Sequence, residues 1–330
     1  MSYVNSLVDK VFVINLEKDK ERLETINKAL TGQGISYERI PGILGSQVSS
    51  DPNLSTLCNW FCTDGIKGCA LSHHKAWELM IERGYSRILV LEDDAVIPAN
   101  FDEKVRHIMG RLPNDYEIVY LGCRYFCSNK NFTEKLGHKV MNSAPEAFSE
   151  EIVKVTGSLG QHATIYTRTA VEKFIHEPIY THIDVQVQRW IRQKGIQAYG
   201  VHPEIVGTLP NNKGSNIADS FPRLANTALD KIEFTDNTPL GWSLSENFMK
   251  IGPFNVNGYI VGLFLFGLFL PWYLSVFLFA WIALETSTSK DIWNGFRFAV
   301  FLSAAMAIRE TGEKLNSFAK QIMRTSKKRR

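Results

Sequence analysis

The chain has 330 residues, 45% of them hydrophobic and 22% charged, with a formal net charge of +3. That length suits one large domain with an appendage or two modest domains, and the composition excludes wholesale disorder. So small a charge, with no single-sign stretch in the first 250 residues, gives no sign of a nucleic-acid partner, and none is expected.

Residues 1–10 carry neither the basic start nor the apolar run of a secretory signal, so catalysis on the cytosolic side is the default expectation. Residues 11–15 are apolar and β-branched and predict a buried first strand. Residues 17–30 predict a helix with Leu23, Ile26 and Leu30 along one face, ended by Gly32 and Gly34. A second strand follows over 36–40. Residues 65–83 have helical period, with Ala70, Trp77, Leu79 and Met80 apolar among polar neighbours and Gly84 as the stop. Residues 87–91 form an intensely apolar strand that runs straight into Glu92, Asp93 and Asp94. A helix over 101–112 and a strand over 116–121 continue the alternation, which predicts an α/β fold with a mostly parallel central sheet.

Residues 123–151 are polar, show little period and read as a long surface loop of the kind that forms lids. Strands over 152–155 and 163–166, helices over 169–176 and 183–194, and a last strand over 196–201 follow. Residues 209–241, rich in Asn, Asp, Pro and Ser, read as linker-like. The expected organisation is a catalytic domain over 1–215, a linker over 216–250 and hydrophobic membrane-associated helices with a basic tail over 251–330.

No charged residue occurs from Ile251 to Leu284. As one helix, residues 258–284 would measure about 40 Å against a hydrocarbon core of about 30 Å, so membrane insertion is expected. Pro271, before Trp272 and Tyr273, marks a kink or the turn of a re-entrant hairpin. Residues 292–308 are a weaker apolar segment containing Arg297, a short second span or an interfacial helix. A hairpin keeps the basic tail (Lys320, Arg324, Lys327, Lys328, Arg329, Arg330) on the cytosolic side with the catalytic domain. That tail is either a solvated terminus or an attraction to an anionic membrane face.

Cys58, Cys62, Cys69, Cys123 and Cys127 make an odd set, which fits free thiols in a reducing compartment. The two C-x3-C pairs lack a histidine at ligand spacing, which argues against structural zinc. Asn53-Leu54-Ser55 and Asn131-Phe132-Thr133 match the glycosylation sequon, which a cytosolic domain never meets.

The acidic triplet carries the sharpest chemistry. Three adjacent carboxylates at the carboxyl end of a buried strand repel one another, at the edge where open α/β sheets bind ligands. A hard cation, Mg2+ or Mn2+, would offset the repulsion and bridge a diphosphate. An acidic turn capping the next helix is the structural alternative, and a metal-dependent phosphodiester or nucleotide hydrolase would look similar.

The surrounding residues distinguish these readings. Val13-Ile14-Asn15-Leu16 with Arg22, Gly68-Cys69-Ala70-Leu71-Ser72-His73, and Leu91-Glu92-Asp93-Asp94 resemble landmarks of glycosyltransferase family 25. Tyr120-Leu121-Gly122, Gly160-Gln161-His162-Ala163 and Ile183-Asp184-Val185-Gln186 resemble later ones in the same order. The family includes lipooligosaccharide and collagen galactosyltransferases, and the similarity covers about residues 10–215. It implies a GT-A-like nucleotide-binding fold and transfer of a sugar, typically galactose, from a UDP-sugar with a divalent metal. The acceptor is a glycan, glycolipid or glycoprotein. Carried over, Asn15, Arg22, Ser72, His73 and Glu92 would bind the donor, Glu92, Asp93 and Asp94 would lie by the metal and diphosphate, and Asp184 would face the acceptor; apart from the resemblance, His202 after the last strand is a candidate nitrogen ligand to the metal. If the enzyme inverts, Asp184 is the first candidate general base and Asp93 the second; capping the following helix is the structural role open to Asp184. The competing readings are the hydrolase and a catalytically inactive scaffold that binds sugars.

Overall fold

The computed structural model describes residues 2–209, 218–235 and 238–328. The chain forms two compact units, residues 1–217 with 233–238, and residues 218–232 with 239–330.

In the first unit, α1 (Tyr3–Leu7) leads into β1 (Lys10–Asn15), α2 (Lys20–Thr31) and β2 (Glu38–Pro41). A 3-10 turn (Gly45–Gln47), α3 (Thr56–Phe61) and α4 (Asp64–Glu82) precede β3 (Arg87–Glu92) and β4 (Ala95–Val96). Then come α5 (Phe101–Met109), β5 (Ile118–Tyr120), α6 (Phe132–Met141), β6 (Glu146–Ala147), β7 (Ile152–Lys154) and β8 (Ala163–Thr167). The helices α7 (Arg168–Glu172) and α8 (Ile183–Lys194) and the strands β9 (Ala198–Val201), β10 (Gly207–Thr208) and β11 (Glu233–Thr235) finish the unit.

Eight strands form one sheet in the order β2-β1-β3-β8-β5-β9-β7-β6. The run β2-β1-β3 and the pair β5-β9 are parallel. β8 opposes both its neighbours, as does β7, so six of the eight strands point one way. The sheet is buried on both faces. In β3, Ile88 and Val90 enter the core under α4 and α8, whereas Leu89 and Leu91 enter the core under α2 and α5. Continuous burial on two sides is why this strand reads as an unbroken apolar run rather than an alternating one. Trp77 on α4 anchors the first core, with its ring edge-on to Tyr166, Phe174 and Trp190 at 5.5, 4.9 and 6.1 Å.

Two expectations for this unit are corrected. Residues 123–151 are not one irregular loop, because they hold α6. Asn131 and Glu134 close a capping box at its start, and the left-handed Asn142 ends it. The cysteines are not all thiols either: Cys58 pairs with Cys62 and Cys123 with Cys127.

The second unit contains α9 (Arg223–Leu229), β12 (Thr238–Pro239, which begins in the first unit), α10 (Leu240–Ser245), β13 (Asn247–Ile251) and β14 (Phe254–Asn257). It continues with α11 (Gly258–Phe269), α12 (Trp272–Ser289) and α13 (Ile292–Lys328). The described part of the stretch read as a linker is therefore structured, with β13 and β14 forming a hairpin about Gly252 at φ 58. Residues 210–217, 236–237 and 329–330, including Arg329 and Arg330 of the basic tail, lie outside the described residues.

The membrane span is also corrected. Among the described residues, no helix is long and apolar enough to cross a membrane. Pro271 has no N–H to continue the helical ladder, so the apolar run breaks there into helices of 12 and 18 residues. The shorter rises about 18 Å, well below the hydrocarbon thickness. The longer ends in Glu285-Thr286-Ser287-Thr288-Ser289, which leaves its apolar part too short. Part of the apolar surface closes a core of Phe221, Ile260, Leu263, Phe298 and Leu302.

Two buried charges in this unit are matched by partners. Arg297, 3% exposed, meets Asp219 at 2.7 Å. The fully buried Glu285 accepts the backbone N–H groups of Leu224 and Ala225 at 2.8 and 2.9 Å, which caps α9 in place of a side chain from Pro222. Glu285→Gln leaves one of those donors poorly paired and is expected to cost about 1–3 kcal/mol in chemical denaturation. An unchanged midpoint would show that α9 needs no such cap.

Candidate active site

The parallel strands β2, β1 and β3 end at Pro41, Asn15 and Glu92. The loops leaving these carboxyl ends meet the start of α4 around a cavity of about 240 Å³, at the small end of ligand pockets. Its walls include Leu16, Asp19, Arg22, Gly45, Cys69, Ser72, His73 and all three carboxylates of the acidic triplet.

The start of α4 is built for close approach. Thr63 caps the helix by accepting the Ile66 N–H. A Cβ on Gly68 would stand 2.5 Å from the Ile43 carbonyl oxygen, and one on Gly45 would stand 1.8 Å from that of Asp64. Only glycine at both positions lets the loop after β2 lie against the helix backbone. The Ser72 hydroxyl then accepts the Ile43 N–H at 2.8 Å and donates to the Gly68 carbonyl at 2.7 Å. Ser72 is thus a clamp on the cleft wall. Ser72→Ala strands the Ile43 N–H and is expected to lower stability by about 1–3 kcal/mol, read as a lower melting temperature. An unchanged melt would show that the loop does not depend on this bond.

The triplet divides its contacts unequally. Glu92 meets His73 Nε2 at 3.0 Å. Burial pushes its carboxyl upward, but the His73 bond and the nearby His73, His162 and Arg22 charges outweigh burial and leave it below its ordinary value. Asp93 accepts from Asn15 Nδ2 at 2.7 Å and from Arg22 at 3.3 Å, while Arg39 holds Asn15 through its other amide atom at 2.9 Å. Burial nevertheless raises the Asp93 carboxyl. Asp94 Oδ1 is buried without a hydrogen-bond partner. Burial, then the charges of Glu92 and Asp93, push its carboxyl up to about 7, against the pull of Arg22 and Arg124. Its backbone is fixed because its carbonyl accepts the Leu209 N–H at 2.8 Å, beside the β4–β10 ribbon.

The fold therefore gathers Arg22, Ser72, His73, Glu92, Asp93 and Asp94 on one cleft, with Asn15 directly behind Asp93. It does not bring in two other candidates. Asp184 lies in the first turn of α8, where His182 and not Asp184 is the cap residue, and it does not line the cleft. His202 leaves β9 and does not line it either. His162 is structural: its ring packs on Gly122 and Gly160, its Nε2 meets the Val206 carbonyl at 2.9 Å, and burial lowers it to about 4. Two residues escaped the sequence reading. Cys69 lines the cleft, and Arg124, in the segment read as a lid, is close enough to bias Asp94.

A carboxylate-lined cleft at the carboxyl edge of parallel strands is the ligand-binding arrangement of open α/β enzymes. Residues 8–179, just over half of the chain, match the model of glycosyltransferase family 25 (LPS biosynthesis protein), and the chain belongs to this family. It is 27% identical over 128 residues to human procollagen galactosyltransferase 2, covering 34% of this chain and 20% of that protein. It is 30% identical over 128 residues to the human inactive glycosyltransferase 25 family member 3, covering 34% of this chain and 22% of that protein. The chain thus spans about a fifth of the length of these curated relatives. The crystal structure of A197 from STIV aligns over 61% of this chain and 86% of that one, with a TM-score of 0.35 and 16% identity.

Proposed function

We propose that the chain transfers a sugar, galactose being the first candidate, from a UDP-sugar to a glycan, glycolipid or glycoprotein acceptor. The observation that carries this reading is the buried, partnerless oxygen of Asp94 in an acidic cleft within the stretch that matches the family. A carboxylate held up to about 7 by burial and by its neighbours' charge is a poor anion alone and a good ligand for a hard cation. Mn2+ or Mg2+ fits there, with Asp94 as the protein ligand. Glu92 is available only by leaving His73, and His202 lies off the cleft wall. The cation would neutralise charge developing on the leaving diphosphate.

The chain's own residues supply the rest. Arg22, on the cleft wall, offers a guanidinium to a phosphate oxygen, and Ser72 holds the loop that shapes the donor pocket. Inversion requires a carboxylate to take the acceptor hydroxyl proton. Asp93 faces the cleft and is raised by burial, so it precedes Asp184 in this reading. The similarity to an inactive relative makes binding without turnover the second reading.

Calorimetric titration of UDP with and without Mn2+ tests the donor site. Binding strengthened at least tenfold by the metal is expected, and metal-independent binding or none would contradict it.

The exposed aromatics of the second unit, among them Phe266, Phe269, Trp272, Tyr273 and Phe277, support attachment to a lipid surface without crossing it. In this reading the protein floats with vesicles of anionic lipid and is released by Phe269→Glu with Phe277→Glu. Recovery in the unbound fraction before any substitution would overturn it.

A further inference from the structure

We propose that the solvent face of α3, continued by Leu44, is the platform for a neutral glycan acceptor, with a sugar ring stacked on Trp60. The proposal rests on the transferase reading above and names the class of acceptor for it.

Leu57, Trp60 and Phe61 stand at positions i, i+3 and i+4 of α3 and therefore share one face. They are 62%, 73% and 43% exposed. A lone exposed apolar side chain is ordinary, whereas a group on one face marks a binding surface. The rest of the helix is tied down. Cys58 and Cys62 are buried and joined in a disulfide. Asn59 donates to the Asp51 and Leu54 carbonyls at 3.1 Å, and its own carbonyl accepts from Lys67 Nζ at 2.8 Å. The Ser55 N–H donates to the Ile179 carbonyl at 2.8 Å. Rings carried on a fixed backbone lose little further freedom when a ligand covers them.

This face runs into the rim of the acidic cleft. α3 ends three residues before Asp64, which lines the cleft, and Gly45 lies against the Asp64 carbonyl. Leu44, the neighbour of Gly45, lines the cleft and is also 41% exposed. A chain of sugars laid on α3 thus leads to the site where the donor reading places the reaction.

Charge selects the occupant. Residues 41–66 contain no lysine or arginine, and their only charged side chains are Asp51 and Asp64. Nothing on this stretch attracts an anionic lipid or a polyanion. A neutral sugar fits, because its weakly positive C–H face packs on the negative face of an indole. The exposed Ser46, Gln47 and Thr56 on the same stretch offer uncharged groups to its hydroxyls. A second copy of the chain fits less well, since four partly exposed side chains fall short of the about 800 Å² per partner that a stable interface buries.

The test is binding of the full-length protein to arrayed neutral oligosaccharides ending in galactose, glucose or N-acetylglucosamine, beside vesicles of anionic lipid. The wild type is expected to bind at least one of the glycans. Trp60→Ala should weaken that binding at least tenfold, Trp60→Phe should keep it within about threefold, and both should melt with the wild type. No glycan binding by the wild type, or binding indifferent to Trp60→Ala, would overturn the proposal. So would vesicle binding that Trp60→Ala abolishes while glycan binding persists. UDP release is followed separately. Its absence would remove the transferase reading and leave the glycan result standing, whereas indifference to Trp60 would remove the platform and leave the donor site standing.

Discussion

Asp94→Ala is expected to lower UDP-sugar turnover by roughly a hundred- to a thousandfold, the scale of losing one preorganised electrostatic contact to the transition state. The same position should behave oppositely in stability. With its carboxyl raised from 3.8 to about 7, folded Asp94 binds a proton over a range where the unfolded chain has released it. That contribution is fully present below pH 3.8 and is lost as pH rises through about 7. Metal-free wild type should therefore lose stability between about pH 4 and pH 7 through this group, and Asp94→Asn should not. Melting curves in EDTA are expected to show the variant gaining on the wild type as pH rises, with Mn2+ closing the gap. Parallel curves across that range would show that Asp94 is not held in an unfavourable charge state.

Gly45→Ala is the second large effect. The added methyl would sit 1.8 Å from the Asp64 carbonyl oxygen and 2.8 Å from the Gly68 nitrogen, both backbone atoms that no rotamer change can move aside. The loop after β2 must lift from α4, breaking the Ile43 to Ser72 bond and opening the wall of the cleft. Overpacking of this kind costs about 1–3 kcal/mol or more, and here the displaced loop also lines the acidic cleft. We expect a melting temperature lowered by several degrees and a KM for donor raised at least tenfold. A folded variant with unchanged KM would show that the loop after β2 does not shape the donor site.

The strand pattern was legible because β1 and β3 are buried on two faces and carry continuous apolar runs. The cleft was legible because short motifs fall at the ends of those strands, where topology alone brings Asn15, Glu92 and the start of α4 together. What failed has physical reasons. Asn131-Phe132-Thr133 was read for its sequon, while Asn131 with Glu134 makes the capping box that starts α6. The apolar run at 258–284 matches a span by count, yet Pro271 divides it and the Arg297–Asp219 pair ties the following helix into a packed unit. Asp184 belongs to one of the motifs and His202 follows the last strand, but the direction in which a chain leaves a helix turn or a strand is not written in residue spacing. Arg124 carried no signal beyond a lone arginine, and only the fold brings its charge near Asp94.

The most direct test of the account is UDP release by purified full-length protein from a panel of UDP-sugars, in Mn2+ or EDTA, beside Asp94→Ala. Metal-dependent release from one sugar, lost in EDTA and in the variant, is the result predicted here. Binding of UDP-sugars without release under any condition, or release unaffected by EDTA and by the variant, would contradict it.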